Sequence, residues 1–117
     1  MKILVTGAAG FIGFNFCNLL LADKKNRIVG IDNLNDYYDV KLKKKRISIL
    51  KKHKNYKFIK TDINNNLSLQ KIFKKYKFDF VLNLAAQAGV RYSIEHPRKY
   101  LESNIVGFYN IIEVFTI

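Results

Sequence analysis

Short apolar runs alternate with longer amphipathic stretches along the whole chain. The first run, Ile3-Leu4-Val5, is followed at once by Thr6-Gly7, the size and punctuation of a buried strand. Ile28-Val29-Gly30-Ile31 closed by Asp32, Tyr56 to Thr61, and Phe80-Val81-Leu82-Asn83-Leu84 repeat that signal, the last being apolar apart from Asn83, as a central parallel strand should be. Between the strands the apolar period lengthens to that of a helix.

The first helix is expected over about Phe11 to Leu21, with Ile12, Phe16, Leu19 and Leu20 on one side and Phe14, Cys17 and Leu21 on another. Apolar on most sides, it reads as a buried helix. Cys17 is assigned to packing, since no His is near in sequence. No Gly closes this helix between Asp23 and Asn26, so Asn26 is the residue expected in the left-handed conformation. A Lys-rich helix running to about Lys54 has Val40, Ile47 and Leu50 on its inner face, and a third, from about Ser68 to Tyr76, buries Leu69, Ile72 and Phe73. The last helix is expected to begin near Pro97 and repeats Leu101, Ile105, Phe108, Ile112 and Phe115, a narrow seam assigned to the core in preference to a partner helix. Strands alternating with helices predict a parallel α/β sheet with the helices packed against it.

The candidate chemistry begins where the first strand ends, at Thr6-Gly7-Ala8-Ala9-Gly10-Phe11-Ile12-Gly13. A strand that turns directly into a helix needs a positive-φ residue, a pyrophosphate close to the backbone excludes a Cβ, and the helix must press against its own strand. Gly7, Gly10 and Gly13 can fill those roles in order, and the N–H groups opening the helix can then hold a diphosphate without a cationic side chain. A P-loop NTPase is excluded, because Phe14 and Asn15 stand where its Lys and Ser or Thr would follow the last Gly.

Asp32 lies nineteen residues beyond Gly13, at the carboxyl end of the second strand. A carboxylate there accepts the two adenosine ribose hydroxyls and repels a 2′-phosphate. With no basic residue beside it in sequence, NAD is expected over NADP. The spacing predicts a Rossmann-like sheet of order 3-2-1-4, with Asp62 and Ile63 at the end of the third strand, where they can flank the adenine, Asp62 as a plain turn residue being the alternative. The small residues Ala85, Ala86, Ala88 and Gly89 follow the fourth strand at the topological switch point and leave room for the cofactor.

Length and charge set the limits of this reading. The chain has 117 residues, enough for one domain with a modest core, whereas a six-stranded doubly wound sheet with a substrate lobe needs well over twice that. Residues 1–117 are therefore read as the N-terminal part of a Rossmann domain whose fifth strand, catalytic helix and substrate domain are absent. One Cys gives no disulfide framework, no signal peptide or membrane span is recognised, and the expected compartment is the cytoplasm. The net charge of +12 is confined to one segment: residues 41–77 carry thirteen Lys and one Arg against Asp62 alone. A nucleic-acid surface is the functional reading of that segment. Solvated helix faces are the plainer one and are preferred, because Arg46 is its only Arg and a phosphate-tracking groove would mix Arg forks and aromatics among the lysines.

Thr6 to Gly13, Gly30 to Tyr38, Asp62-Ile63 and Asn83 to Ser93 together resemble the extended short-chain dehydrogenase/reductases, the NAD-dependent epimerases and dehydratases of nucleotide sugars. Within them the chain is most similar to the UDP-glucuronate 4-epimerases. The resemblance implies that Gly7, Gly10, Phe11, Ile12 and Gly13 line the pyrophosphate, Asp32 the ribose, and Asp62 and Ile63 the adenine, with Asn33 also cofactor-binding. It places Leu84, Ala85 and Ala86 along the centre of the cofactor, counts Asn104 among the cofactor-binding residues, and sets Gln87, Arg91 and Ser93 at the border of the nucleotide-sugar pocket. Phe14 departs from the family, where a small polar residue is common. Full-length relatives are expected to be homodimers. The implied reaction oxidises the sugar at C4 and reduces it again from the other face. A sugar 4,6-dehydratase is the sibling reading, and a basic nucleic-acid module on a vestigial fold is the alternative of another class.

In such enzymes a Tyr acts as the base, a Lys lowers its pKa and a Ser or Thr holds the hydroxyl, all beyond the fourth strand; the chain offers no catalytic residue and no metal site. Two literal Tyr-x-x-x-Lys spacings occur, Tyr37 with Lys41 and Tyr56 with Lys60. Both are refused. The first belongs at the adenosine end, and the second sits on a strand, where four residues separate the pair by about 13 Å.

Overall fold

The structure, a computed structural model, describes residues 1–36, 39–87 and 89–116. Four strands, β1 (Lys2–Thr6), β2 (Arg27–Asp32), β3 (Tyr56–Lys60) and β4 (Phe80–Asn83), form one parallel sheet in the order β3-β2-β1-β4. The register aligns Lys2 with Arg27, Ile3 with Phe80 and Ile28 with Tyr56. All four strands therefore deliver their carboxyl ends to one edge.

Alternation along the strands builds two cores. Ile3, Val5 and Ile28 face Cys17 and Leu21 of α1 (Phe11–Leu21) and Leu50 of α2 (Val40–Leu50). Leu4, Val29 and Ile31 face the other way, onto Leu69 and Ile72 of α3 (Asn66–Tyr76) and Ile111 and Val114 of the last helix. Side-chain caps fix two helix starts: Asp39 accepts from the Lys41 N–H at 2.9 Å and Asn65 from the Ser68 N–H at 3.1 Å. Beyond β4 come two short helices, α4 (Val90–Glu95) and α5 (Pro97–Tyr100), then a π-helical stretch over Leu101–Val106 that runs into α6 (Gly107–Thr116). Among the described residues no helix is long and apolar enough to cross a membrane.

Several expectations need correction. α1 buries Gly13, Cys17 and Leu21, while Phe11 and Leu19 are 70% and 71% exposed and Ile12 and Phe16 are exposed too; one helix against one sheet face covers only one stripe, however apolar the rest. Asn26 does not turn left-handed. Ala22 closes α1 in the right-handed region, and the Asn26 side chain donates instead to the Leu20 carbonyl at 3.0 Å. α2 stops at Leu50, its last buried residue, in a turn closed by the His53 N–H on the Leu50 carbonyl. α4 is a helix that the sequence pattern did not announce.

The seam of the last helix is also misplaced. Leu101, Ile105, Phe108, Ile112 and Phe115 are all exposed, and the buried line is Gly107, Ile111 and Val114, one position upstream. Gly107 sits against Ile63, whose side chain would lie within 2.3 Å of a Cβ there.

Candidate functional site

A cleft opens where the strands end, between the glycine loop after β1, the loops after β2 and β3, and the segment after β4. Gly7 bends the chain with φ +67, and a Cβ on it would stand 2.8 Å from the Ala85 nitrogen and the Leu84 carbonyl. Gly13 has no room for a side chain either, because its Cβ would fall 2.2 Å from the Gly7 carbonyl oxygen. Helix α1 is thus seated directly on the loop. Gly10 differs: as N-cap of α1 it is extended, with φ −73, and no side chain caps the helix. The first N–H groups of α1 are the usual orphans of a helix start, with the positive end of the dipole behind them.

Asp32 is bracketed by backbone donors. The Ala9 N–H reaches its Oδ2 at 3.0 Å and the Leu34 N–H its Oδ1 at 2.8 Å. An ionised carboxylate offers about four acceptor positions, so two remain for the hydroxyls of a diol. Leu34 holds φ +56 to make its contact. Next to it, Asn33 donates to Asp62 Oδ2 at 3.2 Å, and Asp62 Oδ1 takes the Asn64 N–H at 2.8 Å. Behind the cleft, Thr6 donates to Asn83 and accepts from the Ala85 N–H at 3.0 Å, tying the ends of β1 and β4.

Gly7, Gly10, Asp32, Asn33, Asp62, Ile63, Leu84, Ala85, Ala86 and the buried Gln87 all border this cleft. Phe11, Ile12 and Gly13 stand beside it at the start of α1, and the Arg46 guanidinium lies 6.0 Å from the Phe11 ring centre. Asn104 acts from behind: its Oδ1 takes the Gln87 N–H at 2.9 Å and its Nδ2 donates to the Gln87 carbonyl at 3.2 Å. Arg91 and Ser93 lie on α4, outside the cleft wall, with Arg91 paired to Glu95 at 3.6 Å on the surface and Ser93 bonded to the Val90 carbonyl.

Two cations in this region escaped the sequence reading. Lys43 borders the cleft with Asp32, is only 4% exposed, and donates from Nζ to the Asn35 carbonyl and Oδ1 at 2.9 and 2.8 Å. Burial holds its ammonium below the usual lysine range, and Asp32 pulls it partly back. Arg46 donates to the Ala9 carbonyl at 3.1 Å. The signal was present: Lys43 falls between Val40 and Ile47 on the inner stripe of α2. The premise that no basic residue accompanies Asp32 holds in sequence and fails in space.

Of the two refused pairs, Tyr37 with Lys41 lies partly outside the described residues. Tyr56 is buried under the sheet with its phenol pKa pushed up by burial, while Lys60 is exposed. Burial likewise pushes the Cys17 thiol up to about 12, which suits packing and not nucleophilic chemistry.

Residues 4–117 match the family model of GDP-mannose 4,6-dehydratase. The chain is 50% identical over 113 residues to Protein CapI of Staphylococcus aureus, covering 97% of this chain and 33% of the relative. It is also 50% identical over 111 residues to a UDP-glucuronate 4-epimerase of Thermodesulfobacterium geofontis, covering 95% and 34%. Its fold superposes with a TM-score of 0.90 and 38% identity on the UDP-glucuronic acid 4-epimerase of Bacillus cereus, in complex with UDP-glucuronic acid and NAD, over 97% of this chain and 36% of that one. The chain thus spans about a quarter to a third of the length of the curated relatives it matches.

Proposed function

Since the chain belongs to the GDP-mannose 4,6-dehydratase family, we propose that it is the NAD-binding, N-terminal part of a nucleotide-sugar 4-epimerase acting on UDP-glucuronate. The observation that carries this reading is the bracketed Asp32, a carboxylate with free acceptor positions at the end of β2, facing a loop whose Gly10 has no backbone need to be glycine. In the same reading the N–H groups of Phe11, Ile12 and Gly13 hold the pyrophosphate beside Gly7 and Gly10. Asp32 and Asn33 take the ribose, Asp62 and Ile63 flank the adenine, and Leu84, Ala85 and Ala86, backed by Asn104, lie along the cofactor towards its nicotinamide end. Gln87, Arg91 and Ser93 border the sugar nucleotide. Bound NAD supplies a reversible hydride acceptor. What these residues contribute is orientation: fixed donors for the diphosphate and a fixed acceptor for the ribose. The epimerase names of relatives at 44 to 50% identity favour epimerisation over dehydration. The whole protein is proposed to work as a homodimer in the cytoplasm.

Calorimetric titration of the purified protein with NAD and with NADP tests the reading. Saturable NAD binding, tighter than NADP, is expected. No binding, or NADP bound as tightly as NAD, would overturn it.

A further inference from the structure

The opposite edge of the sheet carries a second concavity, a basin of about 980 Å³ under the amino ends of β1, β2 and β3. Lys2, Arg27 and Lys57 stand at the first or second positions of those strands, Lys2 and Arg27 as register partners. Neighbouring strands lie about 4.8 Å apart, so Lys2 and Arg27 form an adjacent cationic pair, and Lys57, level with Val29, stands two residues further along the next strand. Lys24 after α1, Lys52 and Lys54 in the turn before β3, and Lys75 near the end of α3 complete the rim, seven cations in all. Among the described residues no Asp or Glu lines the basin, and the one ion pair is Arg91 with Glu95, elsewhere. The acids nearest in sequence, Asp79 and Asp23, accept from the backbone N–H groups of Lys2 and Lys25.

Lysines at this edge have an ordinary use, which a magnitude can weigh. α1, α2 and α3 all end here, and each helix terminus carries roughly half a negative charge, together about −1.5. Two lysines neutralise that. With the carboxylates of Asp23 and Asp79 at the same edge also set against the seven, about three positive charges remain, held in a concave surface where their potentials add. One wall is aromatic: Tyr76 stacks on Phe78 with ring centres 5.9 Å apart and 21° between planes, and Lys75 Nζ lies 5.2 Å from the Tyr76 ring centre. The fold thereby supplies what the Lys-rich segment lacked, an arginine from outside it, Arg27, and aromatic faces among the lysines. Arg46, the arginine inside that segment, is turned to the glycine loop instead.

We propose that this basin binds single-stranded nucleic acid, phosphates along its cationic rim and an unpaired base against Tyr76. Duplexes hide their base faces and a bilayer surface is too flat to enter the concavity, whereas a single strand offers both charges and exposed rings.

The test is fluorescence anisotropy with a fluorescein-labelled oligouridylate of about 12 nucleotides. Saturable binding at roughly 50 mM salt is expected, with a slope of log Kd against log salt of about 5 if all seven cations engage, at about 0.7 per phosphate. Arg27→Glu with Lys54→Glu should weaken binding at least tenfold, and Lys44→Glu with Lys74→Glu, an equal charge change away from the basin, by less than about threefold. Tyr76→Leu should lower affinity for the oligonucleotide and leave affinity for heparin, a polyanion without bases, unchanged. Retained NAD binding shows that each variant is folded. Absence of binding by the wild type, equal losses in the two charge-reversed pairs, or a Tyr76→Leu protein that binds the oligonucleotide as the wild type does would each overturn the proposal.

Discussion

Asp32 Oδ2 and the Ala9 N–H are hydrogen-bonded at 3.0 Å, joining the carboxyl end of β2 to the middle of the glycine loop. The acid that would hold the ribose is therefore also a strut of the loop that would hold the diphosphate. Its other oxygen fixes Leu34 in the same way. Asp32→Asn leaves one acceptor where there were two and should release one of these N–H groups. We expect a loss of about 1–3 kcal/mol in urea unfolding and at least a tenfold loss of NAD affinity. Wild-type affinity in this variant would show that the cofactor does not rest on Asp32.

Lys43→Met separates cofactor choice from folding. The side chain is buried and of similar length, so losing the hydrogen bonds to Asn35 is offset by losing a desolvated charge, and stability should stay within about 1 kcal/mol. NAD affinity should change little and NADP affinity should fall, because the cation that shares the cleft with Asp32 is gone. A variant that binds NADP better would place Lys43 away from the 2′ position.

Gly10 and Gly13 should fail in opposite ways. Gly13→Ala drives a methyl to 2.2 Å from the Gly7 carbonyl, backbone against backbone, and should cost about 3 kcal/mol or the fold itself. Gly10→Val should keep its helix content by circular dichroism yet lose NAD, since its side chain would occupy the place of the diphosphate. NAD binding by Gly10→Val would remove the phosphate-loop assignment.

Alkaline stability should decline from Cys17. Its folded pKa, about 12, lies above its ordinary 9.0, so the folded state keeps a proton that the unfolded state releases. The contribution is complete below about pH 9 and is lost as pH climbs towards 12, by up to about 1.4 kcal/mol per pH unit. Tyr56, also raised, adds to the loss at higher pH, and Lys43, lowered, works against it as pH approaches the ordinary lysine value. Chemical denaturation of Cys17→Ala across pH 8 to 11 should show a flatter alkaline limb than the wild type; an identical limb would refute the assignment.

Much of this was legible in the sequence because the strands are short, apolar and punctuated. Ile3 to Val5 and Ile28 to Ile31 were read with their correct neighbours, and the order 3-2-1-4 followed from the glycine loop and Asp32. The failures were of sidedness. The apolar stripe on α1 was wider than the face the sheet could cover, so Phe11 and Leu19 went to solvent. The last seam is off by one position because α6 is apolar on more than one side, and the face the sheet covers is the line of Gly107, Ile111 and Val114. Lys43 was missed because a charged residue on an inner stripe is normally discounted, and only the fold shows its partner, Asn35.

The sheet also makes three positions vary as a set. A side chain on Gly30 would meet the Tyr56 hydroxyl at 2.2 Å and the Ala8 methyl at 2.8 Å, so the phenol occupies the room that Gly30 leaves. That hydroxyl has no hydrogen-bond partner, and removing it costs the protein nothing polar. Tyr56→Phe should therefore open a path for change at position 30, but only half of one, since Ala8 still blocks it. Replacement of Gly30 is thus expected together with changes at Tyr56 and Ala8, and a single replacement of Gly30 should be destabilising.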